Sequence, residues 1–394
     1  MTMVKPSRTL FELAAIAVAI AILAVLLTRL SGASGMVLAS GQPLFGDFIS
    51  FWSAGRAALD GHVEQIHDQR LIFSYHQLAA PGVRYLAWWN SPPTFLLIVT
   101  PVALLPFPAA AIVFLIASGA LYFIAARKLL PDARALIFAA TLPAAVFHLG
   151  SVQTGLLVAG VSGLALHWLD RRPLAAGALV SVLAIKPHLA VLWPLFLAIS
   201  GRWRAFAAAS AATLAFIGAA ALAFGPESFL RFLQNLPLPQ TIVSNQLSAT
   251  PAYASLYANL LSAGAPQLTA IAVHAASALA ALVLAAWLFR RGERNVAGAA
   301  LCAATLLVLP YVFFYDFTLL AVGAALLGAP RDRFELVALI AAWSAGLSLP
   351  LGYLAPVPLC PLAAWLILLV AARRARAAAY PRRRTPGQPR SARS

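Results

Sequence analysis

Apolar runs of roughly 18 to 25 residues recur along almost the whole chain, each long enough to cross a hydrocarbon core about 30 Å thick. No soluble domain of ordinary size fits between them. The composition agrees, with 62% hydrophobic and only 10% charged residues in 394. The pattern predicts an all-α polytopic membrane protein of about 12 spans.

The net charge of +16 does not point to nucleic acid, because the basic residues sit in short clusters between apolar runs. These are Lys5/Arg8, Arg127/Lys128/Arg134, Arg171/Arg172, Arg202/Arg204, Arg290/Arg291/Arg294, Arg331/Arg333 and Arg373/Arg374/Arg376. Cytoplasmic retention of such clusters explains them as topology determinants. Cys302 and Cys360 lie in or beside apolar runs without metal or disulfide spacing, as packing residues do. The first apolar run, Leu10 to Leu27, exceeds the roughly 7 to 15 residues of a signal-peptide core, so it reads as an uncleaved span.

Residues 31–91 then form a first outer loop, opposite Lys5 and Arg8, in which charged residues alternate with aromatic ones. Phe48, Phe51, Trp52 and Leu59 recur at helical spacing, which predicts an interfacial helix with Asp47 as its N-cap. Further spans are expected near 109–127, 134–149, 153–169, 174–186, 187–200, 205–224, 268–289, 296–311, 316–328, 334–351 and 357–373. The run 93–105 is expected to dip into the membrane without crossing it, since a crossing there would invert every later basic cluster. A second outer loop spans 225–266. The stretch 1–373 reads as one transmembrane domain, and 374–394 as a disordered basic tail in the cytoplasm, where anionic lipid is available to it. Both termini fall on the cytoplasmic side of a multi-pass protein of the plasma (inner) membrane.

This topology places His148 to Gln153, Lys186 to His188, the second loop and Tyr311 to Asp316 on one side, together with Asp47. A Lys or Asp within a span costs about 2.5 to 3.5 kcal/mol even on the gentle insertion scale, so it needs a partner or a function. Lys186 either pairs with Asp316 or reaches a phosphate, with His188 beside it. Asp316 reads equally as an N-cap, as the partner of a buried cation, or as part of the site. Asn90 and Gln153 are candidate sugar or acceptor contacts, against the alternative of amides capping helix ends at the interface. Asn245, Gln246 and Tyr257 are candidate sugar or acceptor contacts on the second loop, read as a substrate-facing lid. His148 reads as a packed histidine supporting the site. No nucleotide fingerprint, zinc spacing or nucleophile elbow occurs, so no cofactor and no metal site are expected.

The stretches GDFISFWSAGRAALDG (46–61), WNSPPTFLLIVTPVALLP (89–106), HLGSVQTGLLVAG (148–160), AIKPHLAVLWPLFLAISGRWRAF (184–206), FGPESFLRFL (224–233), SLYANLL (255–261) and LPYVFFYDFTLL (309–320), in this order, resemble the polytopic glycosyltransferases of family 87 in the GT-C superfamily. Two departures are visible. The common Tyr-Pro-Pro reads Ser91-Pro92-Pro93, and the common Gly-Gln or Asn-Gln reads Val152-Gln153.

The resemblance implies a GT-C-like bundle with a large first extracytoplasmic loop, a polyprenyl-phosphate sugar donor, and an Asp base that maps onto Asp47. In such a reaction Lys186 and His188 would face the donor phosphate. The reaction expected is transfer of a hexose, mannose by the resemblance, to a lipid or glycan acceptor with inversion, outside the cytoplasm. Membrane lipids are the other partners expected. Two alternatives stay open at this point: a lipid-linked glycan carrier or flippase, and an oligosaccharide ligase or polymerase.

Overall fold

The computed structural model describes residues 5–130, 132, 135–236 and 252–379. The described residues are almost entirely helical, with only isolated bridges such as Tyr253 to Phe313 in place of strands. Counting helices of seven residues or more, the order is α1 (Lys5–Thr28), α2 (Phe48–Leu59), α3 (Gln69–Ala79), α4 (Pro93–Val102), α5 (Phe107–Leu129), α6 (Gly155–Trp168), α7 (Pro173–Val182) and α8 (Trp193–Ile199). There follow α9 (Trp203–Phe224), α10 (Glu227–Asn235), α11 (Leu256–Ser262), α12 (Gln267–Arg291), α13 (Arg294–Val308), α14 (Thr318–Leu327), α15 (Arg333–Ser344) and α16 (Leu359–Ala379).

Among the described residues, five helical stretches are long and apolar enough to cross a membrane: Thr9–Thr28, Phe107–Leu129, Trp203–Phe224, Gln267–Arg291 and Arg333–Gly352. The protein is therefore read as a membrane protein. The apolar runs expected near 153–169, 174–186, 187–200, 296–311 and 316–328 are helical but shorter, at 10–17 residues. Helix α4 has ten residues, or about 15 Å at 1.5 Å per residue, half of what a crossing needs.

Proline divides the bundle. It sits in the first turn of α4, α5, α7 and α8, where its missing N–H is one of the four donors a helix start leaves unpaired anyway. Pro187 also bars Lys186 from helical geometry, and Lys186 adopts φ −143°, ψ 68° between two short 3-10 turns. The run 134–149 is not one span: Pro143 and the turns around it break it into Leu136–Ala140, Pro143–Val146 and His148–Ser151.

Two further expectations are corrected. Helix α2 forms where predicted but does not lie on an interface: nine of its twelve residues are buried, because α3, α4 and the segment 83–89 cover it. Residues 31–91 thus share a core with α4 and α5, in which the rings of Phe51, Trp89, Phe95 and Phe114 pack edge-on, tilted or stacked. The chain beyond Arg373 is not a free tail from its first residue. Helix α16 runs to Ala379, and the buried Arg374 binds Glu335 at 2.6 Å and the carbonyls of Leu327 and Ala329, which satisfies the guanidinium inside the bundle. Residues 380–394 lie outside the described residues. The two cysteines are buried and free.

Candidate active site

Segments far apart in sequence meet at one end of the bundle: the turn before α2, the residues after His148, the Lys186 break, and the stretch from Tyr311 to Phe317. Asp47 occupies the first. Gly46 before it has φ +52°, and a Cβ there would lie 2.8 Å from the Gly150 carbonyl oxygen and from Ser151 Cα. Only glycine fits that conformation and that approach. The contact sets Asp47 against Gln153, whose Nε2 donates to Oδ2 at 2.9 Å, while the Tyr85 hydroxyl donates to Oδ1 at 3.1 Å. Asp47 therefore does not cap α2 with its side chain. Both carboxylate oxygens are drawn across to donors from other segments.

Val152, next to Gln153, is the one non-glycine residue with positive φ among the described residues, at φ 42°, ψ 63°. A β-branched residue there is strained by about 1 to 2 kcal/mol. Its side chain is fully buried in the core that residues 31–91 share with α4 and α5, which holds the strained turn in place. Glycine and asparagine, the residues usual at this place in the resembled pattern, tolerate this geometry best.

Lys186 and Asp316 form an ion pair of 2.6 Å, with side chains 13% and 0% exposed. The other carboxylate oxygen of Asp316 accepts the Phe313 backbone N–H at 3.0 Å. Asp316 is therefore the partner of a buried cation but not a helix N-cap: Phe313 holds that position, and Asp316, three residues on, reaches back to its backbone N–H. The ammonium also lies 4.9 Å from the centre of the Tyr315 ring, a cation–π distance. Tyr315 stacks on Phe313 at 5.0 Å, and Tyr253 packs against Phe313 at 4.7 Å. Backbone bonds from Ala254 to Val312 and from Phe314 to Ala252 tie the returning loop to this aromatic wall.

His148 is fully buried beneath the site: Nδ1 is 2.7 Å from the Ala144 carbonyl and the ring meets Tyr315 edge-on at 5.9 Å. A Cβ on Gly155 would fall 2.7 Å from His148 Nε2 and would also strike the Tyr315 carbonyl, so the start of α6 is pressed against this ring. His188 is half-buried, its ring 5.6 Å from Tyr311. Thr94 Oγ1 donates to Ala184 O at 2.8 Å, linking α4 to the Lys186 break.

Burial pushes the Asp47 carboxyl above its ordinary 3.8, against the opposing pull of Gln153, Tyr85 and the Lys186 charge. The Asp47 charge, together with burial, in turn raises the Tyr85 phenol, which stays a donor. A carboxylate with raised proton affinity, oriented by two donors and within electrostatic reach of an ammonium, is equipped to accept a proton next to a site for an anion.

Not every sequence candidate joins this cluster. Asn90 is exposed and lines a separate cleft with His67, Trp88 and Asn235. Tyr257 lies on α11, its hydroxyl 3.5 Å from Gln267 Nε2 and its ring 6.4 Å from His274. Asn245 and Gln246 lie outside the described residues. Tyr85 was not legible as a site residue, since nothing in its local sequence sets it apart from other aromatics of the loop.

The sequence model of glycosyltransferase family 87 matches residues 89–310, more than half of the chain. No curated protein and no solved structure matches it.

Proposed function

The chain belongs to glycosyltransferase family 87, and from that premise we propose that it moves a hexose, mannose by the family resemblance, from a polyprenyl-phosphate donor to a lipid or glycan acceptor on the extracytoplasmic face of the plasma membrane. Family membership assigns bond making and sets the carrier reading aside. The observation that carries the proposal is Asp47, held through both oxygens by Tyr85 and Gln153.

In this reading the acceptor hydroxyl attacks the anomeric carbon while Asp47 takes its proton. The bond from that carbon to the phosphate oxygen breaks, and its electron pair leaves with the polyprenyl phosphate. One displacement inverts the anomeric centre. Lys186 has three donor hydrogens and spends one on Asp316, so the others are free for phosphate oxygens as negative charge builds on the leaving group. His188 flanks the same place. Asp316 is a positioning residue that fixes the ammonium, and His148 supports the wall behind it. Cytoplasmic retention of the basic clusters supports an outside position for this end of the bundle.

The test is release of free polyprenyl phosphate from radiolabelled polyprenyl-phosphomannose by purified wild type and Asp47→Asn, with a crude lipid and glycan extract as acceptor. Release by the wild type alone is expected. Equal release by both would move catalysis away from Asp47, and release by neither would refute the donor.

A further inference from the structure

The outer loop carries a second polar and aromatic cleft, apart from Asp47, where the start of α3, the segment leading into α4 and the end of α10 meet. Its lining includes His67, Asp68, Trp88, Trp89, Asn90 and Asn235. Its wall holds hydrogen-bonding groups without a partner. Trp89 is only 4% exposed, yet its indole N–H has no acceptor, and Nε2 of His67 is likewise buried without a partner. Each such group costs about 1 to 3 kcal/mol when left unmade, and a native structure keeps few of them.

The surrounding groups are anchored with one valence to spare. Asp68 Oδ1 accepts the backbone N–H of Arg70 and of Leu71 at the start of α3, which orients the carboxylate and leaves Oδ2 open. The Asn235 amide nitrogen donates to Arg231 O at 2.8 Å, leaving its oxygen. Burial lowers the His67 pKa, so the imidazole is neutral near pH 7. Trp88 adds a half-buried indole and Asn90 an exposed amide.

This set of groups suits one ligand chemistry. Sugar hydroxyls both donate and accept, and the apolar C–H face of a pyranose packs on an indole. An anion would meet Asp68, and a lipid tail would bury the polar groups unpaired. Trp88 follows Tyr85 by three residues, which span at most about 11 Å, and Tyr85 binds Asp47.

We infer that this cleft is a second glycan subsite, which holds a pyranose unit of the acceptor beyond the one reacting at Asp47, and that the acceptor therefore carries an oligosaccharide rather than being a bare lipid. The inference rests on the transfer reading above. Saturation-transfer NMR on the detergent-solubilised protein, with linear trisaccharides of mannose, of glucose and of galactose as probes, tests it directly. Wild type and Asp47→Asn are expected to bind at least one probe, with Trp88→Ala and the exposed-site variant Asn90→Ala roughly tenfold weaker, the loss of one stacking or hydrogen-bond contact. In turnover, the same two variants should raise KM for the glycan acceptor more than they lower kcat. Failure of all three probes to bind wild type, or unchanged binding by both cleft variants, overturns the subsite. Cleft-dependent binding without any donor consumption by wild type would instead refute the transfer reading and leave a glycan-binding site standing.

Discussion

Neutralising Lys186 and Asp316 one at a time and then together separates what this pair does for folding from what it does for chemistry. At 2.6 Å the attraction is about 6 kcal/mol for an effective dielectric constant of 20. Desolvation of the two ions costs several kcal/mol each and offsets most of that. The pair as a whole therefore adds little net stability, but either charge alone is costly. Lys186→Met leaves a carboxylate that is fully buried, with the Phe313 N–H as its one remaining bond, and is expected near the upper end of the 3 to 5 kcal/mol (roughly) seen when one partner is removed. Asp316→Asn keeps an acceptor for Phe313 and leaves an ammonium with some access to solvent, so it belongs near about 3 kcal/mol. The double variant removes both charges and should return to within about 1 kcal/mol of wild type. Thermal unfolding of the purified protein in detergent reads the order: Lys186→Met lowest, Asp316→Asn next, the double variant near wild type. It should nonetheless release little polyprenyl phosphate, because no cation faces the leaving group. A double variant as unstable as the sum of the two singles would refute the pairing argument, and a fully active one would refute the role of Lys186.

Asp47→Asn is expected to lose about 10² to 10⁴ in kcat, the usual contribution of a positioned base, measured as donor consumption. Because burial holds the folded pKa of Asp47 above 3.8, the favourable contribution of this group is present below the unfolded value and is lost as pH rises through the folded one. Asp47→Asn should therefore melt no lower than wild type at pH 7, with the difference shrinking on acidification. The acid limb of the rate profile should lie above the ordinary carboxylate range, and Tyr85→Phe, which removes a bond that favours the ionised form, should move that limb to higher pH; an unmoved limb would dissociate it from Asp47. At Val152 the usual order of small residues should reverse: Val152→Gly relieves the left-handed strain and Val152→Ala does not, so the glycine variant should be more stable than the alanine one by about 1 kcal/mol, which melting curves of the two would show. Gly155→Ala should impair folding, because a methyl there meets both His148 and the Tyr315 carbonyl; wild-type yield and melting would contradict the packing described.

Hydrophobic pattern and proline spacing were enough to locate most helices, since each apolar run and each break is a local property. Burial in a second layer is not. Helix α2 shows one apolar face in Phe48, Phe51 and Trp52, yet Ser50, Ser53, Ala54, Gly55 and Ala57 are buried as well, because small residues let α3 and α4 close over the other side. The Arg-rich end of the chain reads as solvated for the same reason: nothing near Arg374 in sequence announces Glu335, 39 positions away, as its partner.

The site divides along the same line. Lys186 and Asp316 stand out in sequence because a charge in an apolar run is costly, and that cost drives their pairing across 130 positions. Asp47 and Gln153 are legible as polar residues beside apolar runs, but their contact depends on two backbone features. One is the missing side chain of Gly46 and the other is the left-handed turn at Val152. The second has no signature here, since valine is among the residues least suited to that turn. A buried valine kept there means that packing in the core around residues 31–91 outweighs about 1 to 2 kcal/mol of strain. That core and the orientation of the base are thus one structure, and perturbing Phe51, Trp89 or Phe95 should reach Asp47 through Val152 without touching it.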